Sequence, residues 1–406
     1  MGIIKDYIGR AFFGVTIAPT DLAVKNIYSA VNGTSTNVDE VTSLSYSAVY
    51  ACVRNISETI ATLPIRVYSN KTGFPIVDGK HPISGLISNR PSETVGKIDF
   101  IQTIMAFTLL WGNGYAKITK SNGRPTDLQL KHPSLVDPFM LDGVLWYDIT
   151  TVKKDGTKTS EMVRSEDMIH IQGISLNGYC GISPIRAQAE TIGIGMASTT
   201  FGYNFFNNGA NMSGAVTHPK NLSEPAIDRL KTQFNEQYVS NQASQKTMFL
   251  EEGMLYNRIS IPPNDAQMIE TRKYSVEDVA RIFRVPLNKI QSDAQTSYNS
   301  IEQENINWTG DTLRPWIKKL EEELTYKLFR QSEQGTYNIG INLNALLRGD
   351  TTARSEFYNK MFQMGVLSPN EIREMEGMTP RTDDGADDYF VPLNLLNQSN
   401  PVEDGS

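Results

Sequence analysis

The clearest pattern of hydrophobic and polar positions along the chain runs from Asn264 to Arg284. Apolar residues recur there on one helical face, and charged residues form a second stripe three and four positions apart. The apolar positions are Ile269, Val276, Val279, Ala280 and Phe283, and the charged positions are Glu270, Lys273, Glu277 and Arg281. Asn264 and Gln267 fit a capping box, and Pro286 ends the helix. The pattern predicts a helix with one face packed against the core and one face that is exposed to solvent or contacts a charged neighbour.

The segment from Ser183 to Ala210 has a different pattern. Its only charged residues are Arg186 and Glu190, and small residues cluster at its middle, between Gly193 and Ser198. A helix of this composition suits close packing against several neighbours. An ordinary core helix fits the same pattern.

The sequence before these two segments predicts an α+β block. Apolar residues at helical spacing predict one helix from Ser45 to about Leu63 and another from Lys97 to Trp111. Alternating residues then predict strands, two of which flank a turn at Asp155-Gly156. The predicted strands are Ile65–Tyr68, Tyr115–Thr119, Leu128–Leu130, Val144–Val152, Lys158–Val163 and Met168–Ile171.

A compact insert, residues 211–262, lies between the two helical segments. It is predicted to form a small β-α-β unit, because short apolar strands flank an amphipathic helix. Its predicted elements are Gly214–Thr217, Glu224–Gln237, Thr247–Leu250 and Leu255–Ile259. Exposed inserts between rigid elements often carry interactions, and a stabilising insertion without a partner is the alternative.

A polar loop from Val285 to Ser297 leads into a long predicted helix, Tyr298 to Arg330. We expect the loop to be mobile, because it has few groups that could anchor it to a core. Pro315 removes a backbone donor inside the long helix, so we expect a kink between Asp311 and Pro315. The elements predicted after it are the strand Tyr337–Leu343 and the helices Thr351–Met364 and Pro369–Glu376.

Several of these segments, in this order, resemble the portal protein family of tailed double-stranded-DNA bacteriophages. The segments are GISPIRAQAETI, FFNNGANMSGAV, DAQMIETRKYSVEDVARIFRVP, SYNSIEQENINWTGDTLRPWIKKLEEELTYKLF and NLNALLRGD. The resemblance extends from about Tyr46 to Thr379. None of these segments is a catalytic motif, so the resemblance indicates a family but does not indicate a reaction.

The resemblance implies an α+β portal fold with an α+β wing, a helical stem, a small β-α-β clip inserted between the stem helices, and a short helical crown. The implied divisions are a lead-in (1–45), the wing (46–182), the first stem helix (183–210), the clip (211–262), the second stem helix (263–285), a tunnel loop (286–297), the long kinked helix with a return strand (298–348), and the crown with an acidic tail (349–406).

The same resemblance implies the function and the partners. Portal subunits form a dodecameric ring at one capsid vertex of the virion, and the ring assembles in the host cytoplasm. Double-stranded DNA passes through it without sequence specificity, driven in by a terminase ATPase docked at the clip and later ejected. Head-tail adaptors and the major capsid or scaffolding protein are the other implied partners. No cofactor, metal or membrane is implied.

Two groups of residues are candidates for this role. The tunnel loop implied by the resemblance would place polar groups toward DNA, although its composition alone favours an ordinary polar helix connector. These DNA-facing candidates are Lys289, Gln291, Ser292, Gln295 and Thr296. The second group is the stripe Glu270, Lys273, Glu277 and Arg281, whose alternating charges could form ion pairs between neighbouring subunits.

The charge distribution argues against a conventional nucleic-acid binder. The formal net charge is −7 and the pI is about 5.3, whereas proteins that bind phosphates through a basic patch are usually basic. Residues 350–406 contain eleven acidic and four basic residues, which accounts for −7, so the remainder is close to neutral. A continuous basic lining would trap DNA by counterion release, so a channel that conducts DNA has to avoid one.

The sequence offers little catalytic chemistry. Four widely separated histidines and two cysteines give no metal-ligand spacing, and there is no nucleophile elbow or phosphate-binding loop. The acidic run from Asp383 to Asp388 lacks the glutamate that closes a calcium loop. We therefore predict no enzyme activity. The alternatives are an adaptor or scaffold ring that does not conduct DNA, and a hydrolase with an unrecognised carboxylate pair.

Overall fold

The computed structural model describes residues 38–71, 75–152, 156–207, 214–217, 255–258, 265–290, 298–343, 351–376 and 378–390, together with positions 225, 227–229 and 232. The chain divides into two compact units, Met1–Gly340 and Ile341–Ser406. Helices and strands are mixed in the described part of the first unit, and the described part of the second contains two helices. The fold class is α+β, as predicted.

The helices of the first unit are α1 (Ser47–Thr62), α2 (Pro82–Ser88), α3 (Lys97–Trp111), α4 (Pro184–Ala187), α5 (Ala189–Asn207), α6 (Asp265–Phe283), α7 (Tyr298–Trp308) and α8 (Arg314–Leu328). The strands are β1 (Ile65–Ser69), β2 (Ile76–Val77), β3 (Asn113–Ser121), β4 (Arg124–Lys131), β5 (Val136–Leu141), β6 (Val144–Val152), β7 (Lys158–Arg164), β8 (Met168–Gln172), β9 (Gly214–Thr217), β10 (Leu255–Arg258) and β11 (Tyr337–Ile341).

The described strands form small sheets. Three of these sheets have the orders β11-β1-β2, β4-β3-β8 and β5-β6-β7, and β9 pairs separately with β10. Two of the hairpins turn at Asn122-Gly123 and Asp142-Gly143, where all four residues have positive φ. This conformation matches the twist of paired strands, and Asn-Gly and Asp-Gly adopt it readily. These turns fix the registers of β3 with β4 and of β5 with β6.

The core of the α+β block lies between α1, α3 and the β4-β3-β8 sheet. Val49, Cys52 and Ile56 of α1 have no exposed surface, which confirms the predicted apolar stripe. Gly112 ends α3 in the left-handed region with φ 76°. The backbone of Gly181 approaches it so closely that a Cβ at Gly181 would lie 2.0 Å from the carbonyl oxygen of Gly112. Only glycine fits at position 181.

A buried polar cluster, formed by His170, Tyr147, Asn113, Glu323 and Lys327, joins β8 to the neighbouring elements. The Tyr147 hydroxyl lies 3.1 Å from Nδ1 of His170, and Nε2 lies 3.0 Å from Oδ1 of Asn113. Asn113 uses its amide nitrogen to donate to another carbonyl, so Oδ1 is an acceptor and Nε2 carries the proton. The backbone N–H of His170 donates to Glu323 over 3.0 Å. The imidazole is therefore held neutral with each ring nitrogen paired.

Burial shifts the pKa values in this cluster. Loss of solvation, with a smaller effect from the Lys327 charge, lowers the pKa of His170 to about 3. Burial also raises the pKa of Glu323, although Lys327 and the His170 N–H act in the opposite direction. The Lys327 pKa is lowered, again chiefly by burial. The cluster is therefore a satisfied structural network.

The second unit contains α9 (Thr351–Gln363) and α10 (Pro369–Met375). Ser368 and Glu371 form a complete capping box at the start of α10. The Asn370 side chain donates to the Arg381 carbonyl over 3.0 Å and to Asp387 over 2.8 Å, which ties the acidic turn to this helix. Within the described residues, no group of acidic, histidine or cysteine side chains is arranged to hold a metal ion.

The predicted elements agree with the structure in type, and several differ in extent. The bounds of α3 and β6 are as predicted, but β4 is longer than the predicted strand Leu128–Leu130, and α2 and β5 were not predicted. The segment predicted as one helix from Ser183 is interrupted at Gln188, whose φ of −119° and ψ of 26° are not helical. Of the predicted insert helix, positions 225, 227–229 and 232 are helical, and the predicted strand Thr247–Leu250 lies outside the described residues.

The long helix after the polar loop is interrupted by a π-helical segment, Thr309–Leu313, between α7 and α8. The N–H of Arg314 donates to the carbonyl of Thr309, five residues earlier. Pro315 has no backbone N–H and cannot donate a helical hydrogen bond. The turn immediately before it contains one extra residue, as in a π-helix. The π-helical turn thus overlaps the place where a kink was predicted, between Asp311 and Pro315.

Candidate functional site

The two helices around the insert, α5 and α6, form the candidate site. They pack against each other, and α6 also packs against α1. Close packing depends on small residues in α5, since a Cβ at Gly195 would lie 2.7 Å from the Tyr46 ring. The chain leaves α5 toward β9 and returns from β10 into α6, and these strands pair in antiparallel register. The two helices therefore form a hairpin with the insert at its far end.

The faces of α6 follow the predicted pattern. Val279, Ala280 and Phe283 are buried, whereas Glu270, Lys273 and Arg281 are exposed and Glu277 is partly exposed. Tyr274, which the sequence analysis did not select, is 65% exposed on the same side. The helix thus has the packed face and the charged face that its sequence predicts.

The charged stripe of α6 is not neutralised by pairs within it. Glu270, Lys273 and Glu277 form no ion pair with any residue in the described part of the chain. Arg281 pairs with Asp278, a residue outside the stripe. The spacing of the stripe allows pairs between successive turns, but the side chains do not adopt them. Three of the four predicted ion-pair residues are therefore available to a group from another molecule.

The end of α6 is joined to the π-helical segment. Arg284 follows α6 in the left-handed region with φ 54°, and the Thr312 hydroxyl donates to its carbonyl over 2.6 Å. A cleft of about 420 Å³ lies beside this contact, and its lining includes Gln188 from the start of α5 and Ile282 from the end of α6. The helix hairpin, α7 and α8 thus meet at one junction.

The first part of the predicted tunnel loop packs against this junction. Residues Leu287–Lys289 form a short 3₁₀ helix, and the Asn55 side chain donates to the Lys289 carbonyl over 3.4 Å. The Lys289 ammonium lies 5.0 Å from the centre of the Trp308 ring. The expectation that the loop lacks anchoring groups is therefore wrong for Leu287–Lys289. The other DNA-facing candidates, Gln291, Ser292, Gln295 and Thr296, lie outside the described residues.

The structure brings the stem candidates together on one helix and places Lys289 beside the end of that helix. The contacts of Lys289 with Trp308 and Asn55 were not predicted from the sequence. The contact of Trp308 with Lys289 depends on the tertiary junction, which local periodicity does not specify. Among the described helices, none combines the length and the apolar character that crossing a lipid bilayer requires.

The overall fold of the chain is similar to that of a protein in a solved structure. The chain is 20% identical to a protein in a structure described as the neck of a native gene transfer agent particle computed with C12 symmetry. The match covers 84% of this chain and 94% of that one, with a TM-score of 0.55. The two proteins therefore share a fold.

Sequence comparison identifies the family. The profile described as phage portal protein matches residues 47–377. The chain is 31% identical to the probable portal protein of Streptomyces phage phiC31, over 93% of this chain and 84% of that protein. It is 27% identical to the portal protein of Enterobacteria phage HK97, over 83% of this chain and 80% of that protein. The chain belongs to the phage portal protein family, whose members are structural head-tail connector proteins of bacteriophages.

Proposed function

We propose that this chain forms a closed ring of identical subunits at one capsid vertex, and that double-stranded DNA enters and leaves the head through the ring. The family match over residues 47–377 carries the proposal. The related neck with C12 symmetry supports a ring of twelve. A closed ring of this kind needs two different surfaces on each subunit that fit each other head to tail.

The charges of α6 support a channel through which DNA slides. A lining rich in lysine and arginine would hold the duplex, because each neutralised phosphate releases counterions. In α6, Glu270 and Glu277 offset Lys273 and Arg281, so this helix presents little net charge. Lys289 and the remaining tunnel-loop candidates are the residues that we propose to face the DNA.

The other parts of the chain are assigned to partners in the same proposal. The clip, residues 211–262, would dock the terminase ATPase during packaging and the head-tail adaptor afterwards. The wing and the crown would contact the major capsid or scaffolding protein. The ring would assemble in the host cytoplasm and remain in the virion. Chemical energy would come from the terminase, so the portal itself needs no catalytic residues.

Deletion of residues 211–262 tests this assignment. A portal in which a short glycine-serine linker replaces the insert should still form the α+β block, but DNA packaging with the terminase should be lost. Packaging is measured as DNA protected from nuclease, and far-ultraviolet circular dichroism checks the fold. Packaging at the level of the intact chain would contradict the role of the clip.

An adaptor or scaffold ring that does not conduct DNA is the nearest alternative. It would also form a ring, so ring formation alone does not distinguish the two proposals. A bulky adduct on a cysteine introduced at Lys289 does, because a conducting channel should be blocked by it whereas a scaffold should not. Unchanged packaging with the adduct in place would favour the scaffold.

A further inference from the structure

Helix α5 carries an exposed stripe on the side opposite its buried residues. Glu190, Ile194, Ala197 and Phe201 recur at the spacing of one helical face, and all four are exposed. Ile194 is 54% exposed. Within the described residues, Glu190 forms no ion pair. A single subunit therefore leaves an apolar stripe that ends in one negative charge.

Helix α6 carries a second stripe with the same spacing. Glu270, Tyr274, Glu277 and Arg281 follow each other at intervals of three and four residues, on the side opposite Val279. Tyr274 is 65% exposed at the middle of the stripe, and Arg281 supplies a positive charge near its end. This stripe differs in chemistry from that of α5 but matches it in length and spacing.

The strands of the insert set the alignment of the two helices. Gly214 is opposite Arg258 in the β9–β10 pair, and equal lengths of chain connect this pair to the end of α5 and to the start of α6. At the other end of the hairpin, Gln188 and Ile282 line one cleft. Both ends thus indicate that α5 and α6 run antiparallel, with the start of each helix level with the end of the other.

This alignment places complementary residues at the same level. With a rise of about 1.5 Å per residue in each helix, Glu190 is level with Arg281, and Ala197 is level with Tyr274. In a ring whose axis runs along this hairpin, neighbouring copies keep these levels, because each copy is related to the next by rotation about the ring axis. Opposite charges then meet at one end of the contact, and a large side chain meets a small one at its middle.

From this we infer that the exposed stripe of α5 in one copy packs along the exposed stripe of α6 in the next copy, with Glu190 opposite Arg281. The inference rests on the proposed ring and specifies which surfaces close it. The contact is heterologous, since the two stripes are different, and it therefore propagates around a ring. It also gives Glu190, which forms no ion pair within the described residues of its own subunit, a partner of opposite charge.

Charge reversal tests the predicted pair. Glu190→Arg and Arg281→Glu should each place like charges opposite one another and reduce the yield of rings roughly tenfold or more. The double variant should restore most of the yield, because the pair is re-formed in reverse order. Sedimentation velocity at fixed protein concentration measures the yield. Glu93→Arg, which reverses an exposed glutamate outside both helices, is the control and should assemble as the unmodified chain does.

Engineered cysteines test the direction of the contact. In a Cys180→Ser background, the chain with both Ala197→Cys and Tyr274→Cys should give a ladder of cross-linked oligomers on mild oxidation. Either cysteine alone should remain uncross-linked, because a heterologous contact never brings two copies of one stripe together. Denaturing gel electrophoresis without reductant separates the products.

The outcomes distinguish this contact from the ring itself. Rings in which both single reversals assemble normally and the cysteine pair does not cross-link would overturn the contact but leave the ring intact. Dimers from Ala197→Cys alone would show an isologous contact and overturn the proposed pairing. A cross-link confined to single chains would overturn it as well. Failure of the unmodified chain to form any ring would instead contradict the proposed function.

Discussion

The buried polar cluster around His170 and the exposed stripe of α6 use ionisable side chains in opposite ways. In the cluster, each ring nitrogen of His170 has a partner within the subunit, and burial lowers its pKa. On α6, Glu270, Lys273 and Glu277 are charged side chains with no ion pair in the described part of their own subunit. The first arrangement stabilises the fold, whereas the second is suited to contact with another molecule.

This difference predicts which substitutions alter the stability of the subunit and which alter its assembly. Changes in the α+β block should alter the free energy of unfolding, because its polar groups are desolvated and their loss leaves partners unpaired. Changes on the exposed stripes should leave the free energy of unfolding nearly unchanged and alter ring assembly instead, since exposed charges contribute little to folding stability.

Gly181→Ala should be the most destabilising change. A Cβ at this position would lie 2.0 Å from the Gly112 carbonyl oxygen, and backbone atoms cannot move aside easily. We expect a loss of about 3 kcal/mol or more in the free energy of unfolding, measured by denaturant titration. Gly85→Ala is the matched control, because the space around Gly85 is open and alanine favours helix; it should be neutral or slightly stabilising. Equal stability of the two variants would contradict the close approach.

Acidification should destabilise the α+β block through His170. Its folded-state pKa of about 3 lies below its usual value of 6.5, so the unfolded chain binds the proton first and stability falls as pH drops below that usual value. The slope between about pH 6.5 and pH 5 should approach roughly 1.4 kcal/mol per pH unit from this residue. Glu323 has the opposite effect on the pH dependence of stability. Its pKa is raised in the folded chain, so the folded chain binds this proton before the unfolded chain does.

His170→Gln checks the origin of this slope. Glutamine offers an amide NH₂ group that donates and a carbonyl oxygen that accepts, but it does not titrate. The variant should show a smaller pH dependence of unfolding than the unmodified chain, whatever its stability at neutral pH. An unchanged slope would mean that other groups, such as His81 and His132, whose pKa values are also lowered chiefly by burial, dominate the response.

Thr312→Val should have a moderate effect at the junction. It removes the hydroxyl that donates to the Arg284 carbonyl while keeping the shape of the side chain. We expect a loss of about 1 kcal/mol in the free energy of unfolding, and Thr312→Ser, which keeps the hydroxyl, should lose less. If the serine variant were the less stable of the two, packing of the methyl group and not the hydrogen bond would hold the junction.

Replacement of Glu277 and Arg281 together by alanine should have the smallest effect on folding and a clear effect on assembly. The Arg281 side chain is 68% exposed, so the free energy of unfolding should change by less than about 0.5 kcal/mol. Ring yield in sedimentation velocity should fall, because the proposed contact between subunits loses charges. Normal assembly of this variant would count against a role of the stripe in the interface.

The sequence predicted the faces of α6 well because they depend on local periodicity. Val279 and Phe283 are buried and Glu270 and Lys273 are exposed, as the spacing of apolar and charged residues requires. The same reasoning located α3 within its observed bounds. Apolar residues that repeat every three or four positions indicate directly which face of a helix is buried.

Features that depend on tertiary contact were missed. Lys289 looks like any residue of a polar loop, and its contact with Trp308 arises only when the end of α6 meets α7. Strand β5 lacks clear alternation, although Asp142-Gly143 is a hairpin signal that could have located it. Pro315 predicted an irregular helix, but the sequence did not specify that a π-helical turn would absorb it.

The central claim is that copies of this chain enclose a channel for DNA. Cryo-electron microscopy of the purified full-length protein tests it most directly. The account predicts a closed ring in which α5 of each subunit lies against α6 of the next around an opening that admits a B-form duplex. Single subunits under all conditions, or a ring without such an opening, would contradict it.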